Sequence, residues 1–274
     1  MGPLRIFAIA CLDTGRLFAR VGRVFNYLAA GTQRIGDLRE GVERTWEDFN
    51  IRAADVASGL MPWEEDLVAR FLKAGDRVLV VGSGTGRDLV ALAERGYRVT
   101  GVEPSWKASA VAERALQQRG LSAEIVGAFF EDAAIAGPFE AIVFSYYCYC
   151  YIPESARRVA ILRKASALLA PGGRVVVSYF ARTRGSPPLT AVARVTARLS
   201  RSDWHPQEGD VLYPLAAADR ARPLFHFEHV FVPGEVDEEG ASAGLQVSYR
   251  KDAPADPVVV LERTSSVRPS PERT

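Results

Sequence analysis

The sequence predicts an α/β protein built on a doubly wound, mostly parallel seven-stranded sheet, with helices before it and a helix and β insertion after the fifth strand. Three observations carry that expectation. Apolar runs of strand length alternate with helical spacing from Trp63 to Arg263 without a linker, the order that makes parallel strands joined by right-handed crossovers. Val78-Leu79-Val80-Val81 runs straight into Gly82-Ser83-Gly84-Thr85-Gly86 and then Arg87-Asp88-Leu89-Val90-Ala91-Leu92-Ala93, which reads as a strand buried on both faces, a glycine turn and a helix. Four of the expected strand ends carry glycine, acidic, hydroxyl or aromatic residues, and ligands of such sheets lie beyond the carboxyl ends of the strands.

The elements follow in order. Residues 1–60 read as helical, with Leu17, Val21, Val24, Phe25 and Leu28 spaced three and four apart as a packing stripe. Arg16, Arg20 and Arg23 on the same segment read as solvated charges rather than a membrane contact. Pro62 followed by Glu64, Glu65 and Asp66 opens a helix over 62–73, because proline suits the first helical position and acids suit the first turn. Strands are expected near 77–81, 97–102, 123–127, 141–145 and 174–180, and helices near 87–95, 105–119 and 154–169. Gly185-Ser186-Pro187-Pro188 breaks the chain; helical spacing resumes over 189–201, and 211–213 with 225–232 read as a β insertion. Pro233-Gly234-Glu235 opens a helix to about 243, and strands near 245–250 and 257–263 close the sheet. Residues 265–274, polar with two prolines, are expected to be a disordered tail. The organisation is therefore a helical lid or extension over 1–60, a cofactor-binding domain over 61–264 with an inserted substrate lid at 185–232, and the tail.

Composition narrows the function. The 274 residues are 48% hydrophobic, ample for a buried core. A formal net charge of +1 gives no field for nucleic acid or an anionic membrane. Three cysteines, an odd number, argue against a disulfide framework and for a reducing, cytoplasmic setting. Cys148-x-Cys150 has no His or Cys partner at zinc-like spacing, so no metal is expected. The apolar run at 6–12 is too short for a secretory core, and no run approaches the roughly 18 residues of a membrane span.

Glycine spacing selects the cofactor. The dinucleotide fingerprint needs Gly or Ala at position 87, where this chain has Arg. The strand at 97–102 ends in Glu103, an acid suited to accept both hydroxyls of a ribose. These residues resemble the class I S-adenosylmethionine-dependent methyltransferases. Gly82, Ser83, Gly84, Thr85 and Gly86 resemble that family's first motif, and Glu103, followed by Pro104, its ribose-binding acid. Phe139-Glu140-Ala141-Ile142-Val143-Phe144 is similar to its fourth strand, and Leu168-Leu169-Ala170-Pro171-Gly172-Gly173-Arg174-Val175 to its turn into strand five. The resemblance spans roughly Trp63 to Arg263. It implies a Rossmann-like methyltransferase fold with an antiparallel last strand, and S-adenosylmethionine as cofactor. Two departures stand out: Val80 where the family often has an acid, and Ala128 where an Asp often contacts adenine. Adenine recognition is then expected from Glu131 or Asp132 with Phe129 or Phe130 as packing surfaces. Ser145 sits at the end of strand four, beside the cleft. Asp88 suits either the helix dipole or a cofactor contact.

The acceptor side is expected around Tyr146-Tyr147-Cys148-Tyr149-Cys150-Tyr151, where the resemblance places residues bordering the reactive methyl group. Tyr146 and Tyr149 are the expected functional pair. In Phe225-His226-Phe227-Glu228-His229 the two-residue period puts His229 on the phenylalanine face and His226 with Glu228 on the other. His229 is the expected base, with His205 and Tyr213 weaker candidates, and Trp46 and Trp204 are expected to enclose the acceptor. The function expected is S-adenosylmethionine-dependent O- or N-methylation of a small, partly aromatic or apolar molecule, with a homodimer left open. The alternatives are an NAD(P)-dependent oxidoreductase and a catalytically inactive cofactor-binding scaffold.

Overall fold

A computed structural model describes residues 2–49, 56–182, 189–215, 223–251 and 257–264. Three helices come first: α1 (Pro3–Ala30), α2 (Ile35–Phe49) and α3 (Pro62–Phe71). The alternating unit follows as β1 (Arg77–Val81), α4 (Arg87–Glu94), β2 (Arg98–Val102), α5 (Trp106–Gln118), β3 (Glu124–Val126), β4 (Phe139–Phe144), α6 (Ser155–Leu168) and β5 (Leu169–Ser178). After α7 (Leu189–Ser200), a hairpin of β6 (Asp210–Pro214) and β7 (Phe225–His229) precedes α8 (Glu235–Ser242), β8 (Leu245–Lys251) and β9 (Val258–Arg263).

The sheet order is β3-β2-β1-β4-β5-β9-β8. Strands β1 to β5 run parallel, and β9 runs antiparallel to β5, with Val177 opposite Val259. Strand order reverses between β1 and β4, and the crevice of a doubly wound sheet opens at such a reversal. The continuous apolar runs have the reason expected of them: Val78, Leu79, Val80, Ile142, Val177 and Val259 are fully buried, each worth about 1.5–3 kcal/mol of burial. Val80 is thus a core residue, and its departure from the family pattern changes packing rather than ligand contact.

Two glycines carry the loop after β1. Gly82 has φ 71°, and a Cβ there would lie 2.8 Å from Cys148 Cβ. Gly86, the N-cap of α4, has φ 90°, and a Cβ would lie 2.7 Å from that of Ala112 on α5. Positive φ and close approach both demand glycine.

A second core stands apart from the sheet. Tyr27, Ala30, Ile35, Leu38, Ala193, Trp204, Leu212, Phe225 and Phe227 join the base of α1, α2, α7 and the β6–β7 hairpin into one cap. The N-terminal helices and the insertion, read separately in the sequence, are therefore one body. The expected packing stripe on α1 is not covered: residues 4–25 are exposed, and Tyr27 and Ala30 are where the helix meets the cap. No helix of the described residues is long and apolar enough to cross a membrane. The expected chain break at 185–188 and the tail at 265–274 lie outside the described residues.

Candidate functional site

The loop after β1 is pinned to the end of β2. The N–H groups of Gly82 and Ser83 donate to Val102 O at 2.9 and 3.1 Å. Glu103 accepts from the Gly84 N–H on one oxygen at 2.8 Å and from the Ser105 N–H on the other at 2.9 Å. Burial raises its pKa above the ordinary carboxylate value; those two bonds pull it down, and the nearby Glu43 adds to the rise. Each carboxylate oxygen keeps further acceptor capacity, the chemistry a ribose diol requires.

Arg87, which argued against the dinucleotide fingerprint, is buried and bonded in a fork to Glu64 of α3 at 2.6 and 2.7 Å. It also donates to Gly59 O at 2.8 Å and ion-pairs with Asp88 at 2.6 Å. Asp88 accepts from the Ser145 hydroxyl. The acid therefore orients Ser145 at the end of β4, while Arg87 ties the start of α4 to α3.

These groups line a cleft at the sheet's carboxyl edge. Gly82, Ser83, Gly84, Thr85, Asp88, Glu103, Pro104, Phe129, Phe130, Glu131 and Ser145 all border it, and so does Ala128. Gly86 does not, because it is committed to the α4–α5 contact. Asp132 is not among the lining residues either, since its carboxylate pairs with Arg39. The Arg39 guanidinium also lies 4.0 Å over the Phe129 ring, stiffening that wall.

The far wall comes from elements distant in sequence. Helix α2 supplies Val42, Glu43 and Trp46, and the 3₁₀ turn Ser145–Tyr151 supplies Tyr146, Cys148 and Tyr151. The Trp46 ring lies 6.0 Å edge-on to Tyr146 and 5.3 Å from Tyr151. Tyr146 and Tyr147 adopt positive φ of 40° and 62°, a conformation bulky residues rarely hold. That kink turns Tyr146 toward the cleft and buries Tyr147 on Phe180, with ring centroids 4.5 Å apart.

Three expected acceptor residues stand elsewhere. Tyr149 is fully buried, its hydroxyl donating to Glu239 at 2.7 Å. His229 is fully buried as well, with Nδ1 2.7 Å from Asp210 and Nε2 2.9 Å from Glu235. A ring with both nitrogens engaged and no path to the cleft cannot serve as a base to an acceptor. Trp204 lies inside the cap against Phe227, with ring centroids 6.2 Å apart. Of the weaker candidates, His205 is exposed beside Glu154, and the Tyr213 hydroxyl donates to Glu228 at 3.3 Å.

The alternation along β7 turns His226 to the opposite side, where its ring lies 5.3 Å from Tyr151. Its Nδ1 is buried with no hydrogen-bond partner among the described residues, and burial lowers its pKa, leaving it neutral. His226 does not itself border the cleft; it lies behind Tyr151, which does. Trp46 was expected beside the acceptor and does border the cleft, whereas its neighbours there, Val42 and Glu43, were not singled out in the sequence.

Comparison with known proteins fits this geometry. Residues 78–173 match the family model described as a methyltransferase domain. Over 186 residues the chain is 31% identical to the ubiquinone biosynthesis O-methyltransferase of Xanthomonas axonopodis pv. citri, covering 67% of this chain and 68% of that protein. The chain belongs to the S-adenosylmethionine-dependent methyltransferase family. An uncharacterized methyltransferase of Geobacillus kaustophilus is 32% identical over 137 residues, 50% of this chain and 60% of that protein. The chain thus spans about three fifths of that relative's length. In fold, the methyltransferase is similar to an S-adenosylmethionine-dependent methyltransferase from Methanosarcina mazei, with TM-score 0.55 and 19% identity over 75% of this chain and 98% of that one. The glycopeptide N-methyltransferase MtfA, solved with S-adenosylmethionine, gives TM-score 0.53 at 16% identity, over 73% of this chain and 92% of that one.

S-adenosylmethionine is the cofactor of this methyltransferase, and the cleft fits it. Glu103 offers a two-oxygen acceptor beside the glycine loop, and Ser83 Oγ is buried with no partner among the described residues. The oxidoreductase alternative falls with the family assignment, since Arg87 fills the position where a pyrophosphate loop needs a small residue.

Proposed function

We propose that this methyltransferase is a cytoplasmic enzyme that methylates an oxygen or nitrogen of a small, partly aromatic or apolar acceptor seated between the glycine loop and α2. The observation that supports this reading is the position of Trp46. It is carried by α2 yet sits within 6.0 Å of Tyr146 and 5.3 Å of Tyr151 at the cleft, which gives a flat acceptor an aromatic surround. When bound, S-adenosylmethionine supplies a methyl carbon activated by a sulfonium. The protein's part is alignment and exclusion of water. Glu103 and the loop from Gly82 to Thr85 hold the nucleoside side, Phe129 and Glu131 border it, and Tyr146, Tyr151 and Trp46 orient the acceptor. The family assignment and the complete glycine loop favour an active enzyme over a scaffold.

Trp46→Ala is expected to raise the acceptor KM about 5- to 30-fold, on the order of 1–2 kcal/mol of lost apolar contact. Its affinity for S-adenosylmethionine should stay unchanged by calorimetry. The acceptor itself can be found by incubating cell extract with the protein and methyl-labelled cofactor. Label appearing only in protein or nucleic acid, with none in small molecules, would contradict the reading. An acceptor that must lose a proton has His226 as the nearest histidine to this wall. His226→Asn should then lower kcat, leave cofactor affinity intact and abolish the acid limb of the kcat profile. That limb should lie below pH 6.5, because burial depresses the imidazole pKa.

A further inference from the structure

Helix α1 presents an uncovered face with an internal repeat. Residues 4–25 are exposed, among them Leu4 at 83%, Phe7 at 68%, Phe18 at 72% and Phe25 at 64%. Leu4, Phe7, Cys11, Thr14, Phe18, Val21, Phe25 and Leu28 alternate spacings of three and four. That is a 3.5-residue period, the seam of one helix winding on another. Beside the seam run Ala8, Gly15, Gly22 and Ala29, spaced seven apart and all small. A Cβ at Gly15 or Gly22 would meet nothing within 4 Å. Two glycines inside an exposed helix weaken it unless another backbone comes close. The charges keep away from the seam: Arg5, Arg16, Arg20 and Arg23 lie on the opposite side, and Arg16 pairs with Asp13 at 3.0 Å.

We propose that α1 is a dimerisation arm whose seam pairs with the same helix of a second copy about a twofold axis. An isologous pairing brings none of the arginines face to face. A helix lying on a membrane needs an apolar face but neither the 3.5-residue repeat nor the stripe of small residues. At a 1.5 Å rise, residues 4–28 span roughly 36 Å, and half the girth of a helix over that length gives roughly 600 Å² per copy. Two copies together reach about 1,200 Å², the lower bound of stable interfaces.

Sedimentation velocity on the full chain, from micromolar to tens of micromolar, tests the arm. The wild type should run at twice 29.9 kDa. Phe18→Glu and Val21→Glu should run as monomers with unchanged S-adenosylmethionine affinity, which shows that the domain still folds. Arg23→Glu, off the seam, should remain dimeric. Cys11, on the seam and exposed in the single chain, reports independently: maleimide labelling should be slow in the wild type and fast in Phe18→Glu. A wild type that stays monomeric throughout overturns the proposal. So does a monomer that sediments with phosphatidylglycerol vesicles, which would assign the helix to a membrane, and so does a dimer whose affinity is unmoved by Phe18→Glu.

Discussion

His229→Ala is expected to cost about 3–5 kcal/mol of stability while leaving methyl transfer per folded molecule unchanged. The ring is fully buried and bridges β6 to α8, 2.7 Å from Asp210 and 2.9 Å from Glu235. Behind it, Arg158 is fully buried, bonded to Glu239 at 2.9 Å and 3.5 Å from Glu235, and Glu239 also accepts from Tyr149. Removing the imidazole leaves a buried oxygen of Asp210 facing a hole, and an unpaired buried charge costs more than the pair contributed. Chemical denaturation with unchanged m-value measures the loss. The pH dependence has a definite sign. Burial opposes the charged ring, but the bonds to Asp210 and Glu235 prevail and raise the His229 pKa. Its stabilisation is then full below the unfolded value of about 6.5 and is lost as pH rises through the folded value. Glu235 has a lowered pKa: burial pushes it up, but the bond and charge of His229 outweigh that. Its contribution is present above about 4.3 and is lost as pH falls through the folded value. The variant should lack the decline on the alkaline side. Unchanged stability with a collapsed kcat would instead return His229 to the chemistry.

Glu103→Gln should weaken S-adenosylmethionine binding by about 10- to 150-fold, roughly 1.5–3 kcal/mol. The loss has two origins. A neutral amide gives up charge-assisted acceptance of the ribose hydroxyls. It also cannot satisfy both the Gly84 and Ser105 N–H groups, because one of the two carboxylate oxygens that now accept them becomes a donor. The loop that carries Ser83 and Gly84 would therefore relax as well. Burial raises the wild-type carboxyl pKa, so cofactor affinity should fall as pH drops through a value above the ordinary carboxylate range. The Gln variant should show no such titration. Calorimetry across pH reads both effects, and an unchanged Kd would make this acid a purely structural clamp.

Both predictions concern residues singled out in the sequence, and the two fared differently for a physical reason. Glu103 was legible because its place depends on local order alone. An apolar run of β length, a glycine turn and an acid at the next strand end are spaced by one crossover, and crossover handedness then fixes where they meet. The glycine loop and the element order were available on the same terms, whereas the antiparallel closure of the sheet followed only from the family resemblance. His229 was not legible. Its strand and its face on that strand could be read, but not whether that face met the cleft or the cap. Tyr149 and Tyr146 are three residues apart in one turn, and only the positive φ at Tyr146 separates a buried hydroxyl from a cleft wall. Trp46 reached its place because α2 packs on a hairpin far along the chain; the Tyr27 hydroxyl, just before α2, donates to Asp210 O, 183 residues away. By itself the sequence determined the alternating fold and that the glycine loop and Glu103 meet at one edge of the sheet, since those follow from periodicity and backbone conformation. Tertiary structure alone decided which cap residues face the cleft, because that depends on contacts between surfaces whose partners no local pattern names.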